Sequence, residues 1–430
     1  MGGVCLNDAL FTTFGRYDII VSGGGTSGIA AAIAAARRGK RVLVLENQGF
    51  FGGMATGGMI SQFMGFADGV TSENVSGVMG DILRRLWKVG AASKIETIYL
   101  LHRKDLGVKA AAYDSEALKT ALDDLALEAG VETLFHTKAI ATECNGDSID
   151  ALLIHNNDGI QRVTAKVYID ATFHGSIAVD AGCGWVKGDE NGVLQPGSLM
   201  FRLFGVDLKR FDELSYDEKT ALGKKGVAEG RLCTSAILCR PVYDSLTYCN
   251  MSRVQVDATL PANLSRAEME GRRQINRILP FLKENVPGFE KAVLAGTGVY
   301  LGLRDSRRIR GLHTLTADEI LNSVQFDDNI AVSSYPIDIH DARGSDSVIR
   351  KPEKGNYFIP YRCMVGRAKN LVFTGRCISA DHAAHAAIRV MATCIQLGEA
   401  AGLAAAMSVD TNTPPALLDG STVRKIIFSK

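Results

Sequence analysis

The sequence predicts an α/β fold whose mostly parallel sheet is built from both ends of the chain. Three observations predict it. An apolar strand, an Ala-rich helix and a second apolar strand follow one another within residues 17–46. Three segments of alternating polarity between about 131 and 171 predict a β-meander. A further apolar strand at 370–374 precedes a second Ala-rich segment, 381–408, which predicts one long helix.

The first strand–helix–strand unit carries a glycine motif in its turn. Two strands joined by one helix within about 30 residues lie parallel. In the motif Gly23-x-Gly25-x-x-Gly28, the first glycine permits the turn, the second admits a pyrophosphate, and the third lets the helix pack on the strand. Glu46 ends the second strand, where a carboxylate accepts hydrogen bonds from a ribose diol. The pattern predicts a Rossmann-like dinucleotide site, which by itself distinguishes neither FAD nor NAD.

The middle of the chain predicts a second domain. Residues 116–129 predict an amphipathic helix that ends at Gly130, and the meander follows it. From about 190 to 355 the sequence carries more charges, and its turn residues are less regularly spaced, so we interpret it as an inserted α+β domain that covers the dinucleotide. The expected divisions are 1–190 and 356–430 for the dinucleotide-binding domain and 191–355 for the substrate or cap domain.

Composition and charge disfavour several kinds of function. The 48 Lys and Arg residues nearly balance the 47 Asp and Glu residues, so no positive field draws in nucleic acid. The nine cysteines include no Cys-x-x-Cys pair, which disfavours a zinc site, an iron–sulfur cluster and a thiol redox pair. Reduced thiols fit a cytoplasmic protein. We expect neither a signal peptide nor an apolar stretch long enough to span a membrane.

Five stretches together are typical of one family. They are DIIVSGGGTSGIAAAIAAARRGKRVLVLE at 18–46, FGGMATGG at 51–58, VYIDAT at 167–172, LRDSRRIRGLHTLT at 303–316 and IPYRCMVGRAKNLVFTGRCISADHAAHAAIRVMATCIQLGEAAG at 359–402. On these stretches, from about residue 17 to about 408, the chain resembles the FAD-dependent oxidoreductases among the two-dinucleotide-binding-domain flavoproteins, the fumarate-reductase/glutathione-reductase superfamily.

The resemblance implies FAD as the cofactor and extends the set of residues that contact it. In such proteins the glycine-rich loop after the second strand wraps the FAD. The strand that ends in an Ala-Thr pair lies near the adenine, and the turn after the last strand holds the ribityl chain or phosphate. The implied cofactor contacts are Gly23, Gly25, Thr26, Ser27, Gly28, Glu46, Gly52, Gly53, Thr56, Ala171, Thr172, Gly375, Arg376 and Ile388. The role of His174, which stands where many relatives carry a Gly-Asp run, stays open.

The resemblance also implies the substrate side of the flavin. The helix that begins near Asp381 points its N-terminus at the flavin pyrimidine in such proteins, which stabilises negative charge there. His382, His385 and Arg389 share one face of that helix. Arg389 is a candidate to bind a substrate carboxylate or to lie beside the reduced ring, and either histidine is a candidate acid or base.

Other substrate-side candidates come from separate segments. Arg304 is a further catalytic candidate, and Asp338 and His340 are candidates to contact the substrate. A metal site built from His382 and His385 together with Asp338, His340 or Asp341 is disfavoured, because pairs of histidines three residues apart are common without a third ligand.

The expected function is hydride transfer between flavin N5 and a small organic substrate that is anionic or hydroxylated. Two alternatives stay open: a non-redox flavoprotein such as a hydratase or isomerase, and an electron-transfer subunit of a complex. The electron acceptor, covalent or non-covalent attachment of the flavin, and the choice between a single chain and a homo-oligomer are open as well.

Overall fold

The structure is a computed structural model, and it describes residues 12–243, 246–341 and 347–428. The strands are β1 (Thr12–Ser22), β2 (Val42–Leu45), β3 (Gln62–Met64), β4 (Glu96–Tyr99), β5 (Gly107–Ala112), β6 (Glu132–Leu134), β7 (Lys138–Asn145), β8 (Ser148–Asn156), β9 (Gly159–Asp170), β10 (Trp185–Lys187), β11 (Phe201–Phe204), β12 (Cys239–Tyr243), β13 (Leu246–Cys249), β14 (Val293–Thr297), β15 (Arg307–Ile309), β16 (Asn329–Ser333), β17 (Ile337–His340), β18 (Ser347–Arg350), β19 (Tyr357–Pro360) and β20 (Leu371–Phe373). The helices are α1 (Thr26–Ala36), α2 (Gly77–Lys88), α3 (Ser115–Ala129), α4 (Ser176–Asp180), α5 (Leu208–Asp212), α6 (Tyr216–Ala228), α7 (Pro261–Asn285), α8 (Ala317–Leu321), α9 (His382–Ile388), α10 (Met391–Thr411) and α11 (Gly420–Phe428).

The main sheet has seven strands and confirms the predicted fold class. Strand β1 is parallel to β2 on one side and to β9 on the other, and β2 is parallel to β6. The second edge of β9 is shared: its first residues pair with β8 of the antiparallel meander, and its last residues pair in parallel with β20. The sheet is therefore mostly parallel, and both ends of the chain contribute to it, as the sequence predicts.

Helices α1 and α10 hold the two ends of the chain together. Two glycines of α10 lie directly against the backbone of α1. A Cβ atom on Gly398 would lie 2.0 Å from the Ser27 carbonyl oxygen, and one on Gly402 would lie 2.1 Å from that of Ala31. Only glycine fits at this distance, so these two residues set the close approach that places the start of α10 beside the first turn of α1.

The hydrophobic side chains form two main cores. The first contains the main sheet, α1 and α10, together with residues from β15 to β20 such as Ile309, Ile330 and Tyr357. The second contains residues between Leu199 and Leu301, where α7 packs on the antiparallel sheet β12-β13-β11-β14. The second core lies inside the predicted 191–355 domain but ends well before its predicted limit. The domain limits themselves stay a prediction.

The long helix predicted over 381–408 is interrupted, and that prediction is wrong. Helix α9 ends at Ile388, Val390 has an extended backbone (φ −74°, ψ 149°), and α10 begins at Met391. The Ala-rich sequence favours helix on both sides, but Val390 packs with Ile98 and Tyr335 in a third small cluster. Tertiary packing of this one β-branched residue therefore overrides the local helix propensity.

Helix α10 also bears on the expectation that no apolar stretch reaches spanning length. Among the described helices, α10 alone is long and apolar enough to cross a membrane, so the expectation is wrong in length and in composition. However, 78% of its most apolar window is buried inside the protein. Core helices have the same length and composition, which makes the apolar sequence of α10 weak evidence for a span.

Candidate functional site

A cavity of about 610 Å³ is lined by residues from both main parts of the molecule. One part of its wall, which we call the glycine side, consists of Gly23, Gly25, Thr26, Ser27, Glu46, Gly53, Ala171, Thr172, Gly375 and Arg376. Another part, which we call the arginine side, consists of Arg304, Tyr335, Asp338, His340 and Arg389. The glycine side belongs to the carboxyl ends of β1, β2, β9 and β20, which is where open α/β sheets bind ligands.

Each glycine of the first turn meets a different constraint. Gly23 has φ +101°, and a Cβ there would lie 2.7 Å from the Ala171 carbonyl oxygen. A Cβ on Gly28 would lie 1.8 Å from the Gly23 carbonyl oxygen. Gly25 has nothing within 4 Å of its Cβ position and lines the cavity. Gly23 and Gly28 therefore build the turn, and Gly25 leaves its backbone open to a ligand.

Glu46 is held by the backbone and keeps acceptor capacity. Its Oε2 accepts from the Gly24 backbone N–H at 2.6 Å, and its Oε1 accepts from that of Gln48 at 2.7 Å. Burial raises the pKa of Glu46, and these backbone hydrogen bonds oppose the rise. A carboxylate offers about four acceptor positions, so capacity remains for donors of a ligand in the cavity.

The segment after β20 adds a cation to the glycine side. Gly375 has φ +77°. Arg376 donates from Nη1 to the Leu303 carbonyl oxygen at 2.7 Å and lies 4.1 Å above the Phe173 ring. Burial lowers the pKa of Arg376. Within the described ranges Arg376 forms no ion pair, so its charge is available to an anionic ligand.

Four of the predicted cofactor residues do not line the cavity: Gly28, Gly52, Thr56 and Ile388. Gly52 has φ +101°, and Thr56 donates its hydroxyl to the Phe51 carbonyl oxygen at 2.6 Å. These two shape the loop that brings Gly53 to the cavity. Ile388 is fully buried at the end of α9. The position of each of the four fits a supporting role better than direct contact.

The arginine side places polar groups and arginines around one carboxylate. Asp338 Oδ2 accepts from the Tyr335 hydroxyl at 3.0 Å and lies 3.3 Å from His340 Nε2 and 3.9 Å from Arg389 Nη2. Arg389 also donates from Nη2 to the Asp338 carbonyl oxygen at 3.0 Å. Arg304 donates from Nη1 to the Pro196 carbonyl oxygen and to the Ser198 hydroxyl, both at 2.8 Å.

The charges of the arginine side do not balance. Burial opposes ionisation of Asp338, but His340, Arg389 and Arg304 together hold its pKa below the usual range. Burial and Arg304 lower the pKa of His340 to about 4, so this histidine is neutral at pH 7. Burial and Arg389 lower the pKa of Arg304 to about 9, which still leaves it charged at pH 7. Two arginine cations against one carboxylate leave a net charge of +1 on the arginine side.

The two predicted histidines lie behind this wall. His382 places Nδ1 3.3 Å from Asp305 Oδ2, and His385 is buried with a pKa that burial lowers to about 3. Neither lines the cavity, whereas Arg389 does. Helix α9 ends at Ile388 with Arg389 as its C-cap in helical conformation, and the chain leaves the helix at Val390. The expectation that the three share one helix face stays a prediction. The acid–base role of the histidines stays a prediction that their positions do not favour.

The helix end that faces the cavity is that of α10. Val390, Met391 and Cys394 line it. The first backbone N–H groups of a helix have no partner within the helix and carry partial positive charge. The predicted helix N-terminus at Asp381 is thus replaced by one ten residues later in the chain. Gln62, Glu268 and Arg240, which also line the cavity, carry no local sequence pattern that marks them.

The glycine turn, the acid that ends β2 and the cavity between two cores define a dinucleotide-binding redox protein. The family model "FAD dependent oxidoreductase" matches residues 18–427, so the chain belongs to the FAD-dependent oxidoreductase family. It is an enzyme of that family, and its cofactor is FAD. A comparison with curated protein sequences found no match.

Solved structures agree on the fold. The chain is similar over 96% of its length to p-nitrophenol 4-monooxygenase PnpA from Pseudomonas putida, with 12% identity, a TM-score of 0.51 and 86% of that chain covered. It is similar over the same share to the flavin-dependent brominase Bmp2, with 14% identity, a TM-score of 0.50 and 83% of that chain covered. It is also similar over 96% of its length to the anhydrotetracycline hydroxylase OxyS from Streptomyces rimosus, with 14% identity, a TM-score of 0.50 and 66% of that chain covered. At these identities the similarity extends to the fold alone.

Proposed function

We propose that this enzyme transfers a hydride between flavin N5 and a carbon of a small carboxylate substrate. The uncompensated positive charge of the arginine side supports the proposal. Buried charges are normally paired, and a cavity wall with two arginines and one carboxylate stabilises a bound anion. Arginine forks bind carboxylates through two parallel hydrogen bonds, which fixes the orientation of the substrate as well as its affinity.

The glycine side fits FAD. Gly25 offers open backbone to a pyrophosphate, Glu46 offers acceptors to a ribose diol, and Arg376 supplies an unpaired cation. When bound, FAD supplies the redox chemistry by accepting or donating a hydride, two electrons with one proton, at N5. The protein binds and orients the two reactants.

Three groups of this chain would act on the reactants. Arg304 and Arg389 would bind the substrate carboxylate, and Asp338 would hold Arg389 and the Tyr335 hydroxyl in place. The N-terminus of α10 would stabilise negative charge on the flavin pyrimidine. His340 would remain neutral and donate a hydrogen bond to Asp338, so the net charge of the anion site would not change with the protonation of this histidine near pH 7.

The cellular location and the acceptor complete the proposal. The eight cysteines of the described residues are all free, which fits the reducing cytoplasm. The substrate is a small molecule, and no feature of the described residues identifies the electron acceptor. The proposal therefore concerns the half-reaction between substrate and flavin, which is measurable without an acceptor.

The test is anaerobic reduction of the FAD-loaded enzyme by panels of carboxylic acids and their matched amides. We expect the acids to reduce and bleach the flavin, and we expect the matched amides to reduce it much more slowly. Replacing Arg389 with Gln should lower kcat/KM for the acids about 10- to 100-fold, the value of one or two charged hydrogen bonds, and Arg389→Lys should retain part of it. The matched control is Arg37→Gln, which removes an arginine paired with Asp81 on the surface. Equal rates for acids and amides would contradict the proposal.

A further inference from the structure

Three buried polar atoms in the cavity wall lack a hydrogen-bond partner among the described residues. They are Gln62 Oε1, Glu268 Oε2 and Arg389 Nε. Buried polar groups in native proteins are nearly always paired, and an unpaired one marks the place of a ligand or a water. Arg389 Nε belongs to the anion site proposed above. The other two atoms are acceptors, and neither is part of that site.

Gln62 is the more deeply buried of the two acceptors. It begins β3, where it pairs with Ala112 of β5, and only 4% of its surface is exposed. Gln62 lines the cavity, and its amide oxygen is buried without a donor. The neighbouring Ser61 and Ser115 hydroxyls are engaged by Arg202 Nη2. Gln62 Oε1 therefore has acceptor capacity left for a donor that enters the cavity.

Glu268 projects from α7 on the other main part of the molecule. Its Oε1 accepts from the Leu301 backbone N–H at 2.6 Å. Its Oε2 makes no hydrogen bond and lies 3.5 Å from Nη1 of Arg272, a half-exposed side chain. One carboxylate oxygen thus fixes the side chain to the wall, and the other is left for a donor.

The segment from Leu301 to Arg304 connects this acceptor to the arginine side. The Leu301 backbone N–H donates to Glu268. The following residue, Gly302, pairs with Ser198 in an isolated β-bridge, and the Ser198 hydroxyl accepts a hydrogen bond from Arg304 Nη1. Four consecutive residues of an extended chain span at most about 10 to 14 Å. The anion site and Glu268 therefore lie within reach of one small molecule, and Gln62 lines the same cavity.

The charges decide which kind of donor fits. In this part of the cavity the lining cations are Arg240, Arg304 and Arg389, and the lining anions are Glu268 and Asp338, which leaves three minus two, or +1. Arg272, which does not line the cavity, also pairs with Glu268, so the positive charge is at least this large. A bound carboxylate reduces that charge. A second, positively charged group on the substrate would restore the imbalance, so a neutral hydroxyl fits better than an ammonium.

We propose that the substrate is a hydroxylated monocarboxylic acid whose hydroxyl donates to Gln62 or Glu268. The carboxylate binds Arg304 and Arg389, so the inference rests on the proposed function and adds the opposite end of the substrate. The hydroxyl is a recognition group in this inference, and the carbon that exchanges hydride is not specified by it.

The test is a binding titration of the oxidised, FAD-loaded enzyme, followed by the flavin absorbance. The probes are straight-chain carboxylic acids of increasing length, their ω-hydroxy analogues and their ω-amino analogues. At the chain length that spans the two sites, we expect the hydroxy acid to bind about tenfold more tightly than the unsubstituted acid. The amino acid should bind no better than the unsubstituted acid.

Two variants remove the acceptors selectively. Glu268→Gln keeps one oxygen for the Leu301 N–H and replaces the free oxygen with a donor, and Gln62→Leu removes the amide at similar volume. We expect at least one of them to lower the preference for the hydroxyl about fivefold or more. Gln62→Leu should change the affinity for the unsubstituted acid less than about twofold, and Glu268→Gln, which removes a negative charge, should not weaken it. Gln62→Glu, which keeps an acceptor, should retain the preference. Thr142→Val is the matched control, because Thr142 Oγ1 is also buried and unpaired but lies outside the cavity wall.

The outcomes separate this inference from the proposed function. No preference for the hydroxyl at any length, or tighter binding of the amino acids, would overturn the inference, and sensitivity to Arg389→Gln would still support the carboxylate site. Loss of FAD from both acceptor variants, measured as the flavin content of purified protein, would assign the acceptors to the cofactor and overturn the inference as well.

Discussion

The two sides of the cavity are built on different principles. The glycine side consists largely of backbone and small side chains, with Glu46 and Arg376 as its charged members. Its shape follows from the space that an absent Cβ leaves, as at Gly25 and at Gly28 beside it. The arginine side consists of large charged side chains whose properties follow from incomplete compensation of charge around Asp338. Steric changes should therefore act mainly on the first side, and changes of charge should act mainly on the second.

The largest expected effect is steric and falls on Gly28. Gly28→Ala places a Cβ 1.8 Å from the Gly23 carbonyl oxygen, so the turn between β1 and α1 must move. Overpacking in a rigid site costs about 1–3 kcal/mol or more, and here it also breaks the turn. We expect the variant to be recovered folded at less than about a tenth of the wild-type yield, with no bound flavin.

Gly25→Ala is the matched comparison in the same turn. The added Cβ has nothing within 4 Å, so the free energy of unfolding of the apo variant should lie within about 1 kcal/mol of the wild-type value. The methyl group enters the cavity, and FAD affinity should fall at least about tenfold. Chemical denaturation of the apo proteins and flavin titration measure the two effects. Equal behaviour of the two variants would show that the open space at Gly25 has no connection with the cofactor.

The next effect is electrostatic and falls on Asp338. Asp338→Asn removes the one carboxylate between two buried arginines and leaves their charges unbalanced. Breaking a buried ion pair from one side costs about 3–5 kcal/mol, so we expect the free energy of unfolding to fall by that order. The remaining charge rises to +2, and a carboxylate ligand such as acetate should restore part of the loss and bind more tightly than to the wild type.

The surface aspartate Asp81 provides the control for that experiment. It pairs with Arg37 and Arg84 at 2.6 Å, and all three side chains are partly exposed to solvent. Asp81→Asn should cost no more than about 1 kcal/mol and should not respond to acetate. If Asp338→Asn behaved in the same way, the charge imbalance proposed for the arginine side would be disproved.

A third effect appears when the pH is lowered. Burial lowers the pKa values of His174 and His340 to about 4 and that of His385 to about 3, against 6.5 when exposed. Between pH 6.5 and about 4 the unfolded chain binds protons that the folded chain does not, so stability falls as the pH falls. Asp170, whose pKa burial raises to about 6, acts in the opposite direction.

Denaturation at saturating FAD between pH 7 and 5 measures the net slope. Each proton contributes at most about 1.4 kcal/mol per pH unit. We expect a lower free energy of unfolding at pH 5 than at pH 7, and a shallower slope in His385→Gln. A slope unchanged by His385→Gln would mean that this histidine is not held neutral in the folded protein.

How far sequence reasoning reaches differs between the two sides for a physical reason. The glycine turn, β2 and Glu46 lie within 30 residues, so local chemistry and spacing predict their arrangement. The arginine side joins Arg304, Asp338 and Arg389, whose approach depends on the packing of distant segments. The break at Val390 shows the limit most clearly: the Ala-rich sequence favours an unbroken helix, whereas Val390, at the break, packs against the cluster that contains Ile98 and Tyr335. Gln62 and Glu268 carry no pattern at all.

The smallest expected effect tests whether a hydroxyl on the glycine side serves the ligand or the fold. Ser27 is a predicted cofactor contact, yet its Oγ is 2.8 Å from Thr374 Oγ1 in a buried hydrogen bond. The bond joins the first turn of α1 to the segment after β20, 347 residues away in the chain. Ser27→Ala should lower the free energy of unfolding by about 1 kcal/mol. The double variant with Thr374→Val should be destabilised by little more than Ser27→Ala alone. FAD affinity, measured by flavin titration, should change less than about threefold, because the Ser27 hydroxyl is already engaged by Thr374. A tenfold loss of FAD affinity at unchanged stability would reverse that assignment and make Ser27 a ligand contact.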